Sequence, residues 1–178
     1  MADLERILET DRLRLEPIRA AHAPAMFEIL SDPRLHEFIP REAPLNPDLL
    51  AQRYTRLESR KSPRGDELWM NWAICSRSRN LVLGNVQATI RPGDRAWLAY
   101  ELGTAWWGRG FATEACRRVI ETLFEDHGVT RIIAEVDTRN AASIRLLERL
   151  GFQRGALKEN ADFFKGAKSD EFTYNLER

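Results

Sequence analysis

The chain has 178 residues, 43% of them hydrophobic and 30% charged, with 10 glycines and 8 prolines. These proportions suit one globular domain over residues 1–178, with roughly 70% of the extended chain's surface buried, and exclude collagen-like and disordered chains. Basic and acidic residues balance at 27 each, so dedicated nucleic-acid binding, which draws on a basic excess, is not expected.

Leu8 to Ile18, LETDRLRLEPI, alternates Leu13 and Leu15 with Arg12, Arg14 and Glu16 and predicts a half-buried strand. Ala23, Met26, Phe27 and Leu30 recur at helical spacing until Asp32-Pro33 stops the run. Asn46-Pro47-Asp48 offers an N-cap with proline at the first helical position, ahead of Leu50, Tyr54 and Leu57. Lys61 to Glu67 is loop material. Strands are predicted over Leu68–Cys75, over Leu81–Ile90 and, after the turn Arg91-Pro92-Gly93-Asp94, over Trp97–Gly103. In the second of these, Asn85, Gln87 and Thr89 share one face, and Val82, Val86, Ala88 and Ile90 the other.

The pattern then changes to loop, helix, strand, helix. Gly108-Arg109-Gly110 leads into the apolar stripe Ala112, Ala115, Cys116, Val119, Ile120, Leu123 and Phe124, which His127-Gly128 ends. Arg131–Val136 reads as a strand. Asn140 precedes a helix carrying Ile144, Leu147 and Leu150, which Gly151-Phe152 closes. Two last strands are expected near Phe152–Leu157 and Glu171–Leu176, with Lys158–Glu171 between them as a polar loop. The fold class is α/β, a mixed and mostly antiparallel central sheet flanked by helices. Phe163-Phe164 is odd in such a loop; it could cover an acceptor pocket or a dimer surface.

Cys75 and Cys116 stand far apart, with no CxxC or Cys/His ligand spacing. This argues against a metal site and fits a reducing compartment. The charged start of the chain is unlike a signal peptide, and no apolar run approaches the ~20 residues that span a bilayer. A soluble cytoplasmic protein with no membrane partner is expected, and the near-zero net charge leaves a homodimer open.

Tyr100–Glu114, YELGTAWWGRGFATE, carries the chemistry. A strand enters a short glycine loop that opens directly into a helix. Amides at a helix start lack internal acceptors, the helix dipole adds partial positive charge, and glycines let a phosphate approach without meeting a Cβ. The segment can cradle a diphosphate, although an ordinary glycine turn accounts for it equally well. It is not a triphosphatase P-loop, because Gly110 is followed by Phe111 rather than Lys-Ser/Thr. A dinucleotide fingerprint would place a third glycine at Thr113 and would sit in a first βαβ unit.

In ordered series, LETDRLRLEPI at 8–18, LGNVQATI at 83–90, YELGTAWWGRGFATEA at 100–115 and NAASIRLLERLGF at 140–152 resemble the GCN5-related N-acetyltransferases (GNAT). The likeness is greatest to the branch of ribosomal-protein N-terminal acetyltransferases (RimJ/RimL-like). The resemblance implies acetyl-CoA as acyl donor and a primary amine as acceptor, either a protein N-terminus or a small-molecule amine. The family's loop, Gln/Arg-x-x-Gly-x-Gly/Ala, falls on Trp107–Ala112, with Trp107 in place of the usual Gln/Arg. The resemblance assigns the diphosphate to the amides of Arg109, Gly110, Phe111, Ala112 and Thr113, with Gly108 shaping the turn. It places Leu102 on the strand that pairs with the pantetheine arm. Asn140 matches an asparagine that contacts the cofactor, but would serve as a helix N-cap without any ligand.

Acyl transfer to an ammonium needs one proton removed and one supplied to the departing thiolate. Glu101, on the strand face of Trp97 and Ala99, is the candidate base, acting through water; a glutamate hydrogen-bonded within the sheet is the alternative. The tyrosine that many family members place after Leu-Gly-Phe is missing here, with none before Tyr174. Ser143 is the candidate acid, or else a first-turn helix serine. Neither cysteine has a plausible catalytic partner, which favours direct transfer. A non-catalytic CoA-binding regulatory domain is the alternative function.

Overall fold

The N-terminal run is two strands rather than one. Thr10 donates its amide to the Leu13 carbonyl (2.9 Å) and accepts the Leu13 amide on Oγ1 (2.9 Å). This tight turn folds β1 (Leu8–Glu9) back on β2 (Leu13–Pro17), with Leu8 opposite Leu15. In the computed structural model, which describes residues 3–178, helices α1 (Ala23–Leu30) and α2 (Pro47–Leu57) follow. Asn46 caps α2 by accepting the Leu49 amide at 2.9 Å, with Pro47 at the first helical position. Then come β3 (Leu68–Ser76), β4 (Val82–Arg91), β5 (Arg95–Leu102), α3 (Phe111–Asp126), β6 (Arg131–Asp137), α4 (Ala141–Arg149), β7 (Gln153–Phe164) and β8 (Ala167–Glu177).

The eight strands form one sheet in the order β1-β2-β3-β4-β5-β6-β8-β7. Every neighbour is antiparallel except β5 and β6. Two apolar clusters cover its two faces. Ala115, Cys116, Val119 and Leu123 of α3 and Leu147 of α4 pack on Val86, Leu98, Ile132 and Ala134. Met26, Leu30, Leu50 and Tyr54 of α1 and α2 pack on Ala73 and Cys75.

Two further expectations need correction. Val82 does not share a face with Val86 and Ala88. The register between β3 and β4 slips between Ile74 and Cys75, so that Ile74 faces Gly84 but Cys75 faces Val82. This bulge interrupts the alternation: Leu83 joins the core under α3, and Val82 joins the one under α1 and α2. The second concerns Lys158–Glu171, which is strand rather than loop. β7 and β8 continue as a long hairpin to Phe164 and Ala167, closed by Lys165 and Gly166, both with positive φ (51° and 75°). Two central residues at φ > 0 match the right-handed twist of hairpin strands. The polar composition reflects a mostly exposed ribbon.

Candidate active site

The first turn of α3 lacks a capping side chain. Asn46 and Asn140 cap α2 and α4, whereas the cap of α3 is Gly110, at φ 79° and with no side-chain hydrogen bond. The first helical bond runs from the Glu114 amide to the Gly110 carbonyl, so the amides of Phe111, Ala112 and Thr113 have no acceptor within the helix. Gly108 also has positive φ (71°), and a Cβ built on it would meet nothing within 4 Å. The loop is anchored from the β1–β2 turn. The Arg12 guanidinium lies 4.4 Å from the centroid of Phe111, donates to the Arg109 carbonyl (3.0 Å) and pairs with Glu114 (2.6 Å). Burial would raise the pKa of Glu114, but hydrogen bonds from Thr10 and Arg12 outweigh it and hold the carboxyl below its ordinary range. The Arg109 guanidinium sits 5.4 Å from the Trp106 ring, which meets Phe111 edge-on.

Beside this loop the sheet opens. β5 and β6 pair only over Arg95–Trp97 with Arg131–Ile133. The Gly103 amide bonds the Leu83 carbonyl at 2.8 Å, with Leu83 opposite, so Gly103, Glu101 and Ala99 direct their backbone groups at β4. The alternate residues Tyr100 and Leu102 turn theirs toward β6, beyond the last pair. An open strand edge of this kind can accept an extended amide chain. The Leu102 carbonyl also accepts the indole N–H of Trp107 at 2.7 Å. Gly84, opposite Leu102, lets β4 approach the β5 backbone closely: a Cβ there would lie 2.1 Å from the Glu101 carbonyl.

Glu101 points to the α1–α2 face. Its oxygens are held by Arg41 and, at 3.1 Å, by Asn85, in place of the tryptophan-rich surroundings expected from Trp97. On the other face, the Tyr100 hydroxyl reaches the Ser143 carbonyl in the first turn of α4 (3.5 Å). Burial raises the pKa of Tyr100 and keeps the hydroxyl neutral. Asn140 caps α4, its Oδ1 accepting the Ser143 amide at 3.1 Å. The Ser143 hydroxyl is half-buried and makes no hydrogen bond to the described residues. Tyr174 is fully buried in β8 and bonds Arg154 and Glu148 (both 3.0 Å), away from this constellation. Burial pushes the Cys75 thiol up to about 11 and Cys116 higher still, so neither presents a ready thiolate.

The connection between α1 and α2 lies across the mouth of the sheet opening. Arg41 reaches Glu101, Phe38 lies under the Arg139 guanidinium (5.9 Å), and Lys165 of the hairpin tip donates to the His36 carbonyl. Phe163 remains 71% exposed at that tip. Elsewhere, Glu16, His22 and Cys75 bring potential ligand atoms within 4.8 Å. His22 Nδ1, however, accepts the Arg19 amide (3.0 Å), so the proton is on Nε2, facing Glu16 (3.1 Å). That nitrogen offers no lone pair to an ion.

Residues 12–153 match the family described as "Acetyltransferase (GNAT) domain". The chain belongs to the GNAT acetyltransferase family. It is 29% identical over 172 residues, 96% of either chain, to the uncharacterized N-acetyltransferase YoaA of Bacillus subtilis (strain 168). It is 28% identical over 149 residues, 81% of this chain and 63% of the relative, to the FsC-acetyl coenzyme A-N(2)-transacetylase of Aspergillus fumigatus. The crystal structure of the ribosomal-protein-S5-alanine acetyltransferase of Vibrio fischeri shares its fold, with a TM-score of 0.83 and 19% identity over 97% of this chain and 96% of that one.

In this GNAT N-acetyltransferase, the residues singled out in the sequence fall into three groups. Gly108–Thr113 with Leu102 form the loop and open edge, Asn140 and Ser143 form the start of α4, and Glu101 lies across the sheet. Sequence reasoning missed Arg41, Asn85, Tyr100 and Gly84, and the role of Trp107. A mid-strand glycine was a usable signal for Gly84; nothing local marks Arg41. No helix among the described residues is long and apolar enough to cross a membrane.

Proposed function

We propose that this N-acetyltransferase works in the cytoplasm and moves the acetyl group of acetyl-CoA directly to a primary amine, a peptide N-terminus or a small-molecule amine. The observation that carries this reading is the uncapped, glycine-shaped start of α3 beside the open edge of β5. A diphosphate is the anion such a turn fits best, because it can take several amides at once and the dipole favours it. The amides of Arg109, Gly110, Phe111, Ala112 and Thr113 bind it, and Gly108 leaves room for it. The backbone of Leu102 binds the pantetheine arm as an added strand, with Asn140 beside it. When bound, acetyl-CoA supplies an activated thioester.

The residues around it move protons. One proton must leave the amine nitrogen, and Glu101, oriented by Arg41 and Asn85, takes it through water. One proton must reach the departing thiolate, and the Ser143 hydroxyl donates toward that charge. The buried, high-pKa thiols support transfer without an acyl-enzyme. A panel of amines and peptides with acetyl-CoA tests the reading by free thiol and product mass. Acetylated product with stoichiometric thiol is expected; CoA binding with no thiol release from any acceptor would overturn it.

A further inference from the structure

The cleft beside Glu101 holds two guanidinium groups, from Arg41 and Arg53, together with the side chains of Tyr54, Asn71 and Gln87. Arg41 is paired with Glu101. Arg53 is half-buried, projects from α2 into the same cleft, and makes neither an ion pair nor a hydrogen bond with the described residues. Arg41 and Glu101 are the charged groups that act on it there, along with Arg56 of its own helix. Tyr54, only 4% exposed, lines the cleft as well, and its hydroxyl has no partner among the described residues. Burial keeps that hydroxyl protonated, hence a donor. A half-buried guanidinium with no carboxylate bound to it keeps its donors available to an incoming anion. Here the unpaired cation lines the same cleft as Glu101, the carboxylate assigned above to the acceptor's amine.

We infer that the acceptor carries a carboxylate close to its reacting amine and that Arg53, aided by the Tyr54 hydroxyl, receives it. The inference rests on the acetyl-transfer reading above and narrows its substrate class. The same cleft is lined by a carboxylate, Glu101, and by a guanidinium without an ion pair, Arg53, the complement of an ammonium and a carboxylate in one small molecule or one chain end. Guanidinium suits the task because it can donate two parallel N–H bonds to a carboxylate. The carboxylate can belong to a free amino acid or to an acidic residue near a peptide N-terminus.

Matched pairs separate these sources: β-alanine and glutamate against their amides, and peptides beginning Ser-Asp or Ala-Glu against Ser-Asn or Ala-Gln. In at least one arm the wild-type protein is expected to favour the acid by about tenfold or more in kcat/KM, mainly through KM. R53Q should bring that ratio to about one, and R53K should retain part of it, with circular dichroism checking both folds. Equal use of acid and amide in every arm, or a preference that survives R53Q, would overturn the inference while leaving acetyl transfer intact. If no acceptor turns over, calorimetric titration of the same pairs decides. Acid binding that R53Q weakens about tenfold sustains Arg53 as the carboxylate site and counts against the acetyl-transfer reading alone. Acid and amide binding alike removes the inference.

Discussion

Trp107 donates its indole N–H to the carbonyl of Leu102 at 2.7 Å, so the loop that follows β5 is tied back to that strand's last residue. The bond runs from the start of the glycine loop to the strand end proposed to hold the pantetheine arm. W107F keeps the aromatic bulk and deletes the donor. A bond of this kind contributes about 1 kcal/mol, so acetyl-CoA affinity by calorimetry should fall by roughly fivefold. Unchanged affinity would show that the tie does not shape the site.

Gly110 combines φ 79° with an approach of 3.4 Å between a built Cβ and the Arg12 guanidinium. In G110V, a branched side chain would occupy a left-handed position and crowd the amides proposed to bind the diphosphate. Acetyl-CoA binding should weaken by about tenfold or more in a protein whose circular dichroism is retained. A folded variant with full affinity would remove the loop from the binding site.

Glu101 lies across the sheet from that loop, so its loss should separate turnover from donor binding. E101Q should lower kcat by about 10²-fold and leave acetyl-CoA affinity close to wild type. The deficit should shrink as pH rises, because more of the acceptor amine is then already neutral. Near-normal kcat at neutral pH would make Glu101 a structural partner of Arg41 alone.

Ser143 has its amide held by Asn140 and its carbonyl approached by Tyr100, which fixes the first turn of α4 independently of its hydroxyl. S143A should therefore keep its melting temperature and slow single-turnover transfer by roughly tenfold, with little change in amine KM. An unaltered single-turnover rate would transfer the proton-donor role to water or to Tyr100, and Y100F would separate those two.

Asp137 ends β6 with its side chain 1% exposed. Burial would raise its pKa, but Arg139, Ser169 and the Arg139 amide outweigh it and hold the carboxyl down to about 2, against an ordinary 3.8. A lowered carboxyl contributes stability that is complete above about pH 4 and disappears as pH falls toward 2. D137N should melt several degrees lower than wild type at pH 7, roughly the effect of 1–2 kcal/mol, with the gap closing between pH 4 and pH 2. A gap independent of pH would mean that the charge is not what stabilises this corner.

The parts of the molecule legible in the sequence are those set by neighbours along the chain. Asn46-Pro47 marks the start of α2, Gly93-Asp94 the turn before β5, and Gly110 the start of α3, because caps and turns depend on a few consecutive residues. The bulge at Leu83 was hidden because a single extra residue leaves the composition unchanged while reversing which face Val82 takes. The environment of Glu101 was hidden for another reason. Arg41 lies 60 residues earlier in a connection without periodicity, and only the packing of α1 and α2 brings it to the sheet. Arg53 reads in the sequence like any solvent-facing helix arginine, and only the folded chain brings it to the cleft lined by Glu101.

The short β5–β6 contact has a mechanical corollary. The sheet is two wings, β1–β5 and β6–β8, joined by three residue pairs at one end, with Trp97 in the last pair and Arg91 stacked 4.1 Å over its ring. From Trp97 to the end of β5 is a lever of about 17 Å at ordinary strand rise. A turn of about 5° at the joint would shift the wing tips by about 1.5 Å, close to half a hydrogen-bond length. Arg91 and Trp97 therefore sit at the joint where a small change of angle has its largest effect on the width of the mouth.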